Sequence, residues 1–251
     1  MPAVMVRPPR GRRIGLLGGS FNPAHEGHLH ISRAALAKLR LDEVWWLVSP
    51  QNPLKPVRGM AALATRVRIA REVARHPCVR VTAIEAELGT THTAATLKRL
   101  IERVPDARFV WLMGADNLIQ ISRWHDWRAI FASVPVAVFA RPTYSLRALA
   151  SDAARRFASA RIPETAAGAL ADARPPAWAF LRIRPSAASA TAIRARAPRH
   201  ATRNKAQDED LVKAAERIVE TTRTITAKTR RQTKRREPSR DGRRRKLPRR
   251  A

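Results

Sequence analysis

Three histidines follow a glycine pair in the segment GGSFNPAHEGHLHIS, which runs from Gly18 to Ser32. The glycines carry no side chains, so a phosphate group can approach the backbone there. His25 and His28 are three residues apart, which places both on one side of a helix start. An imidazole N–H can donate a hydrogen bond to a phosphoryl oxygen and stabilise the charge that develops as a bond breaks. The segment therefore predicts a site for an anionic ligand.

Two other interpretations of this segment stay open from the residues alone. A glycine pair followed by polar residues is also typical of an ordinary surface turn. A zinc site formed by His25, His28 and His30 is the other alternative. His30, however, lies two residues from His28 and points elsewhere on a helix, and no cysteine lies near enough in the sequence to complete the coordination. We therefore expect no metal site here, and we expect His30 to be structural or solvated.

The segment follows a predicted strand and opens a predicted helix. Six short apolar runs predict strands at RIGLLG (13–18), EVWWLVSP (43–50), CVRVTAIE (78–85), ARFVWLMG (107–114), VPVAVFA (134–140) and WAFLRI (178–183). Helical patterns begin near Gly27 and cover 61–75 and 93–104. This alternation predicts an α/β fold, a Rossmann-like doubly wound parallel sheet. Such sheets bind nucleotides at the carboxyl ends of their strands, where the glycine pair lies.

Two other groups of side chains have suitable positions for ligand binding. Asp116 follows the fourth predicted strand, where a carboxylate can accept hydrogen bonds from ribose hydroxyls or cap the next helix. With Ser189 as the N-cap of a later helix, Thr191 falls in its first turn and Arg194 lies three residues beyond on the same face. Hydroxyls, N–H groups and a guanidinium then converge, which suits a polyphosphate. An ordinary capped helix would have the same pattern.

Five segments carry a resemblance to a known family, in collinear order between Arg13 and Arg196: GGSFNPAHEGHL, SPQNPLKP, THTAATLKRL, LMGADNLIQISRWHDWRAIF and SATAIR. Together they resemble the nicotinate-nucleotide adenylyltransferases of the HxGH nucleotidyltransferase superfamily. The resemblance implies an enzyme that transfers the adenylyl group of ATP to nicotinate mononucleotide. The products would be pyrophosphate and nicotinic acid adenine dinucleotide, in NAD biosynthesis.

The resemblance also implies a role for each matched residue. The catalytic residues would be His25, His28, Lys55 and Arg194. ATP would be bound by Gly18, Gly19, Ser20, Phe21, His25, His28, Ser189, Thr191 and Arg194. The mononucleotide would be bound by Ser20, His92, Thr93, Asp116 and Trp124, with Trp124 stacked on the pyridine ring and Trp127 packed in the core. No metal ligands are expected from the protein, and Mg²⁺ would arrive with ATP.

Some features depart from the family pattern. Asn22 stands where bacterial members mostly carry Asp, and Ala188 replaces a larger apolar residue. The apolar helix that usually closes the fold has at best a weak equivalent after Ala197. One alternative function is that of another HxGH enzyme such as phosphopantetheine adenylyltransferase, although the GADN…RWHDW block and the chain length argue against it. The other is a non-enzymatic nucleic-acid-binding protein that acts through its basic tail.

Composition limits the remaining choices. The chain has 251 residues and a formal net charge of +29, which favours polyanionic partners. After Ala227 it carries 13 Lys and Arg against two acidic residues. We divide it into a basic N-terminal extension (1–12), a nucleotidyltransferase domain (13–200) and a basic tail (201–251). The tail is expected to be mostly disordered and to attract polyanions weakly. Cys78 is the only cysteine, and no secretion signal or membrane span is predicted, so we expect a cytoplasmic protein.

Overall fold

The computed structural model describes residues 11–50 and 60–184, and seven strands in these ranges form one sheet. The strands are β1 (Arg13–Gly19), β2 (Glu43–Val48), β3 (Val79–Thr82), β4 (Arg108–Gly114), β5 (Val136–Phe139), β6 (Arg161–Ile162) and β7 (Trp178–Leu181). Their order is β3-β2-β1-β4-β5-β7-β6, and each neighbouring pair in it is parallel. The predicted α/β, doubly wound parallel sheet is confirmed.

Helices connect the strands on both faces of the sheet. They are α1 (Glu26–Lys38), α2 (Leu63–Val73), α3 (Ile84–Leu88), α4 (Thr93–Arg103), α5 (Ala115–Gln120), α6 (Trp127–Ser133), α7 (Ser145–Leu149) and α8 (Asp152–Arg156). Three 3₁₀ segments add to them: Ile121–Arg123, Ala158–Ala160 and Glu164–Asp172. All six predicted strands are present, the last of them as β7. The two-residue edge strand β6 was not predicted, because two residues are too few for a hydrophobic period to show.

The strand predicted over 78–85 is wrong at its carboxyl end. β3 stops at Thr82, and α3 occupies Ile84–Leu88. The run AIEAEL is rich in good helix formers, which outweigh the apolar alternation that suggested a longer strand. Gly89 then ends the helix in the left-handed region, with φ 62°. The correction moves Glu85 from a strand to a helix that borders the carboxyl edge of the sheet.

Two clusters of buried apolar side chains cover the two faces of the sheet. Alternate residues of β1, β2, β4, β5 and β7 belong to different clusters, as the two-residue period of a strand requires. One cluster joins the sheet to α3, α4, α5 and α6 and includes Ile14, Leu16, Trp45, Leu97, Trp111 and Phe131. The other joins it to α1 and α2 and includes Leu17, Leu29, Val44, Trp46, Ala70 and Leu112. Strands buried on both faces explain why the sequence reads as continuous apolar runs.

Glycines in the central strand β1 allow neighbouring side chains to pack against its backbone. A Cβ atom on Gly15 would lie 2.7 Å from Cδ1 of Leu41 and 2.8 Å from Cδ1 of Leu112, closer than atoms pack. A Cβ atom on Gly18 would overlap the ring of Trp111, which is 2% exposed. The middle of the sheet therefore depends on the absence of side chains at these two positions.

We expect Gly18→Ala to lower the free energy of unfolding by about 1–3 kcal/mol, because the added methyl group overpacks a buried ring. Gly19→Ala is the matched control, since its Cβ would lie 3.5 Å from the ring of Phe21, an ordinary contact. Urea unfolding followed by circular dichroism measures both variants. Equal stability of the two variants would contradict this account of the packing around Trp111.

Candidate active site

The carboxyl ends of β1, β2 and β4 meet at one edge of the sheet. The strand order reverses between β1 and β4, which is where open α/β sheets bind their ligands. A cavity of about 350 Å³ lies at this edge. Seven residues that the sequence assigned to a ligand line it: Gly18, Gly19, Ser20, His92, Thr93, Asp116 and Trp124. The fold therefore brings together segments that are separated by as much as a hundred residues in the sequence.

His25 and His28 cap the start of α1 for each other. His25 is the N-cap residue, and its Nδ1 accepts a hydrogen bond from the Gly27 N–H at 3.1 Å. Nδ1 of His28 in turn accepts a hydrogen bond from the main-chain N–H of His25, also at 3.1 Å. The ring centroids lie 3.9 Å apart. Because Nδ1 of His25 is an acceptor, this pattern assigns the ring proton of His25 to Nε2. Nδ1 of His28 also lies 3.3 Å from the carbonyl oxygen of His25, so the position of its ring proton depends on the tautomer.

Burial controls the charge of His25. The side chain is only 7% exposed. Its burial, followed by the positive charge of Arg141, lowers the pKa of His25 from 6.5 to about 4. His25 is therefore neutral at pH 7, and the neutral imidazole offers a donor at Nε2 whose protonation does not change near neutral pH. Such a fixed donor can stabilise negative charge that grows in a transition state.

Aromatic side chains hold the His28 ring in place. The ring of Phe21 lies 4.7 Å from His28 and 5.1 Å from Trp46, measured between centroids. Nε1 of Trp46 donates to the hydroxyl of Ser32 at 2.8 Å, and that hydroxyl donates to the carbonyl of His28 at 2.9 Å. Phe21 is 2% exposed. Its side chain therefore belongs to the core.

Glu85 borders the cavity from α3, and sequence reasoning missed it. Burial raises the pKa of Glu85, although hydrogen bonds from the hydroxyls of Ser49 and Thr96 offset part of this effect. Its Oε2 atom has no hydrogen-bond partner among the residues that the structure describes. Burial favours the neutral carboxyl, which can donate a hydrogen bond to a bound anion rather than repel it. The only signal in the sequence was the helix-forming run AIEAEL, which predicts an earlier end of the strand.

Asp116 lies in the first turn of α5, directly after β4, and pairs with an arginine from another part of the chain. Its Oδ1 lies 3.2 Å from Nε of Arg141, a distance for an ion pair without hydrogen-bond geometry. Gly114 leaves room for this pair, since a Cβ atom there would lie 2.7 Å from Nε of Arg141. Arg141 also lines a second cavity of about 710 Å³, together with Arg161 and Arg182. Arg141 therefore contacts Asp116 at the first cavity and lines the second cavity itself.

The opposite wall of the 350 Å³ cavity comes from the start of α4 and from the chain after α5. His92 is the N-cap residue of α4, and its ring stacks on that of His125 with 4.6 Å between centroids. Trp124 lines the cavity. Trp127 instead packs edge-on against Phe131 and Phe157. Both tryptophans of the RWHDW motif are half-buried against the same apolar cluster, and of the two only Trp124 lines the cavity.

Other expectations fall on residues outside the described ranges. Lys55 lies within 51–59, and Ser189, Thr191 and Arg194 lie beyond 184, as does the tail. Within residues 11–50 and 60–184, no group of three or more His, Cys, Asp or Glu side chains is arranged to hold a metal ion. The same ranges contain no helix with the length and apolar character needed to cross a membrane.

Comparison with known proteins gives the family of the chain. A family model described as cytidylyltransferase-like matches residues 16–196. A "Probable nicotinate-nucleotide adenylyltransferase" of Cereibacter sphaeroides is 58% identical over 182 residues, which are 72% of this chain and 96% of the relative. The chain belongs to the nicotinate-nucleotide adenylyltransferase family. A protein of the same name from Methylorubrum extorquens is 54% identical over 184 residues, 73% of this chain and all of the relative. The resemblance seen in the motifs is confirmed.

A solved structure shares the fold of this family member. It is Plasmodium falciparum nicotinic acid mononucleotide adenylyltransferase complexed with NaAD, which superposes with a TM-score of 0.55 at 14% sequence identity. The match covers 73% of this chain and 83% of that chain. This agreement concerns the arrangement of strands and helices.

The lowered pKa of His25 predicts a pH dependence of stability. The folded value of about 4 lies below the unfolded value of 6.5, so the unfolded chain binds more protons between these pH values. The free energy of unfolding therefore falls as the pH drops from 6.5 to 4, by up to about 3 kcal/mol from this residue. We expect His25→Asn, which keeps a capping side chain, to show a shallower fall.

Urea unfolding at pH 7, 5.5 and 4.5 measures this dependence. His76→Asn is the control, because His76 lies between α2 and β3, away from the cavity. It should keep the wild-type dependence. Identical pH dependence in wild type and His25→Asn would contradict the role given to His25.

Proposed function

We propose that the protein transfers the adenylyl group of ATP to nicotinate mononucleotide, releasing pyrophosphate and forming nicotinic acid adenine dinucleotide, a step of NAD biosynthesis. The observation that carries this proposal is the mutually capped pair of His25 and His28. The pair starts the helix that follows the glycine-rich turn, and Gly18, Gly19 and Ser20 of that turn line a cavity at the strand-order reversal, in a chain of this family.

The chemistry needs no covalent intermediate on the enzyme. An oxygen of the 5′-phosphate of the mononucleotide attacks the α-phosphorus of ATP in line. The new P–O bond forms as the bond to pyrophosphate breaks. The protein contributes positioning and stabilisation of charge. In this proposal His25 and His28 donate from Nε2 to the α-phosphoryl and leaving-group oxygens.

ATP takes the side of the glycine-rich turn and of the second cavity. Gly18 and Gly19 allow the phosphates to approach the backbone, and the arginines of the second cavity supply positive charge. Arg141 lies between this side and the cavity of 350 Å³. The ATP contacts assigned from the sequence further comprise Ser20, the main chain of Phe21, Lys55, Ser189, Thr191 and Arg194, with Lys55 and Arg194 as cationic catalytic groups.

The mononucleotide takes the cavity of 350 Å³. Trp124 offers a face for the pyridine ring, and Asp116 can accept a hydrogen bond from a ribose hydroxyl. The start of α4, at His92 and Thr93, presents main-chain N–H groups that no side chain caps, which suits the nicotinate carboxylate. Ser20 belongs to the glycine-rich turn and lines the cavity, where it would contact the phosphate of the mononucleotide. Glu85, favoured in its neutral form, can donate to the same anion.

Three further assignments belong to this proposal. Mg²⁺ enters with ATP, because the phosphates supply the oxygen ligands that this ion prefers. The enzyme works in the cytoplasm, where a chain with one free cysteine, Cys78, stays reduced. The basic tail, residues 201–251, attracts polyanions and is not needed for turnover.

Purified protein incubated with ATP and Mg²⁺ tests the function through pyrophosphate release. Nicotinate mononucleotide, nicotinamide mononucleotide and phosphopantetheine serve as separate acceptors. We expect release with nicotinate mononucleotide, because the donor groups at the start of α4 favour a carboxylate over a carboxamide. Release only with phosphopantetheine would identify a different adenylyltransferase. Mixed-sequence RNA binding without release for any acceptor would support a nucleic-acid-binding protein.

Substitution at His28 separates its capping role from its proposed donor role. His28→Asn keeps an acceptor near Nδ1 but removes the donor at Nε2, so we expect turnover at saturating ATP to fall by about 100-fold or more. His28→Gln, which places an amide N–H near Nε2, should retain more activity. Circular dichroism verifies the fold, and His76→Asn is the control. Near wild-type turnover of His28→Asn would contradict the catalytic role.

A further inference from the structure

Arg66 is a buried cation whose role the site described above does not explain. It lies near the start of α2 and is 1% exposed. Burial lowers the pKa of Arg66, yet a guanidinium stays charged in proteins. In the described part of the chain no carboxylate forms an ion pair with it. A buried charge of this kind is tolerated only where its N–H groups find acceptors.

Main-chain carbonyl groups supply those acceptors. Nη1 of Arg66 donates to the carbonyl oxygens of Ser20 and Ser49, at 2.7 Å each. Nη2 donates to the carbonyl of Pro50 at 2.9 Å, and Nε donates to that of Ala61 at 2.8 Å. We call these five residues the Arg66 clasp. The planar guanidinium can make this set of bonds because its donors point in fixed directions.

The Arg66 clasp joins two chain segments of the candidate active site. Ser20 belongs to the glycine-rich turn after β1, Ser49 follows β2, and both line the cavity of 350 Å³. The same segments are joined directly, since the Ser49 N–H donates to the carbonyl of Gly19 at 2.9 Å. The Ala61 N–H also donates to Oδ1 of Asn22 at 3.2 Å. Arg66 therefore lies at the centre of a hydrogen-bond network between the two segments.

The clasp also sets the direction of a main-chain donor. In a trans peptide unit the C=O and the N–H point in opposite directions. With the carbonyl of Ser20 held towards Arg66, the N–H of Phe21 points away from the guanidinium. Phe21 has a positive φ of 45°, a conformation that persists only where the surroundings fix it. Loss of the clasp would allow the glycine-rich turn to leave this conformation. Loss of the Arg66 charge would lower the positive electrostatic potential that attracts phosphates to the site.

We propose that Arg66 is a positioning residue for adenylyl transfer, holding the glycine-rich turn and the turn after β2 in the geometry that receives the two phosphorylated substrates. The proposal rests on the function proposed above. Arg66 acts through the four carbonyl groups and through its charge, without contact with the reacting atoms.

The test compares Arg66→Lys and Arg66→Gln with a control of similar structural cost. Lys keeps the charge but has no planar fork to reach four carbonyls, and Gln loses the charge as well. Glu43→Gln is the control. Glu43 is 4% exposed at the amino end of β2, where it accepts hydrogen bonds from Arg12 at 2.6 Å and Trp45 at 2.8 Å. Glu43 therefore belongs to a buried polar network at the amino end of β2, the strand that precedes Ser49. This end of the strand lies away from the site.

Melting temperature, kcat and KM for both substrates, and the Kd of ATP by calorimetry are the measurements. We expect kcat/KM of Arg66→Lys to fall roughly 10- to 100-fold through displaced turns. Arg66→Gln should lose more and bind ATP less tightly. Glu43→Gln, with a comparable loss of melting temperature, should keep kcat/KM within about twofold of wild type.

Each alternative outcome has a definite meaning. The proposal is overturned if Arg66→Lys and Glu43→Gln give the same kcat/KM and ATP Kd, or if neither Arg66 variant folds, since Arg66 is then a structural residue only. Wild-type protein that binds ATP without releasing pyrophosphate contradicts the proposed function alone, and the Kd values still decide the role of Arg66. Wild-type protein that binds neither substrate contradicts both.

Discussion

The close approach of Trp111 to the backbone of β1 at Gly18 is the contact on which the candidate site depends. A central parallel strand without side chains at this point lets the indole ring fill the space beneath the glycine-rich turn. The same ring borders the cavity, so one packing interaction forms both the core of the sheet and the floor of the site. The strand order then places the chain after β1 beside the chain after β4.

Polar groups at this edge are buried in ways that fix their protonation. The rings of His25 and His28 use Nδ1 to cap α1, which assigns the ring proton of His25 to Nε2. Glu85 loses water but gains hydroxyl donors, and Arg66 replaces water with carbonyl groups. Oriented groups in a medium of low dielectric need little reorganisation when charge develops on a substrate, which is the usual source of electrostatic catalysis.

The parts of the site that local patterns encode were predictable from the sequence. Gly18 and His28 lie in one short motif after an apolar run, and the strand ends place Asp116 at the same edge. Arg66 was not predictable, because an arginine in ATRVRIAREVAR resembles its exposed neighbours until the folded turns surround it. Glu85 was missed through the misplaced end of β3. The contact of Arg141 with Asp116 depends on the tertiary approach of α5 and the chain after β5, which no local period reports.

The charge of Arg141 has a consequence for any anion that binds beside it. Its charge contributes to the low pKa of His25, so any anion that binds beside Arg141 weakens the repulsion between this guanidinium and a protonated imidazole. The pKa of His25 would then rise, although burial, the larger cause, still holds it below its ordinary value, and in acidic solution the protein would take up part of a proton when the anion binds. Because linkage is reciprocal, lowering the pH through this range strengthens the binding of that anion by the same factor.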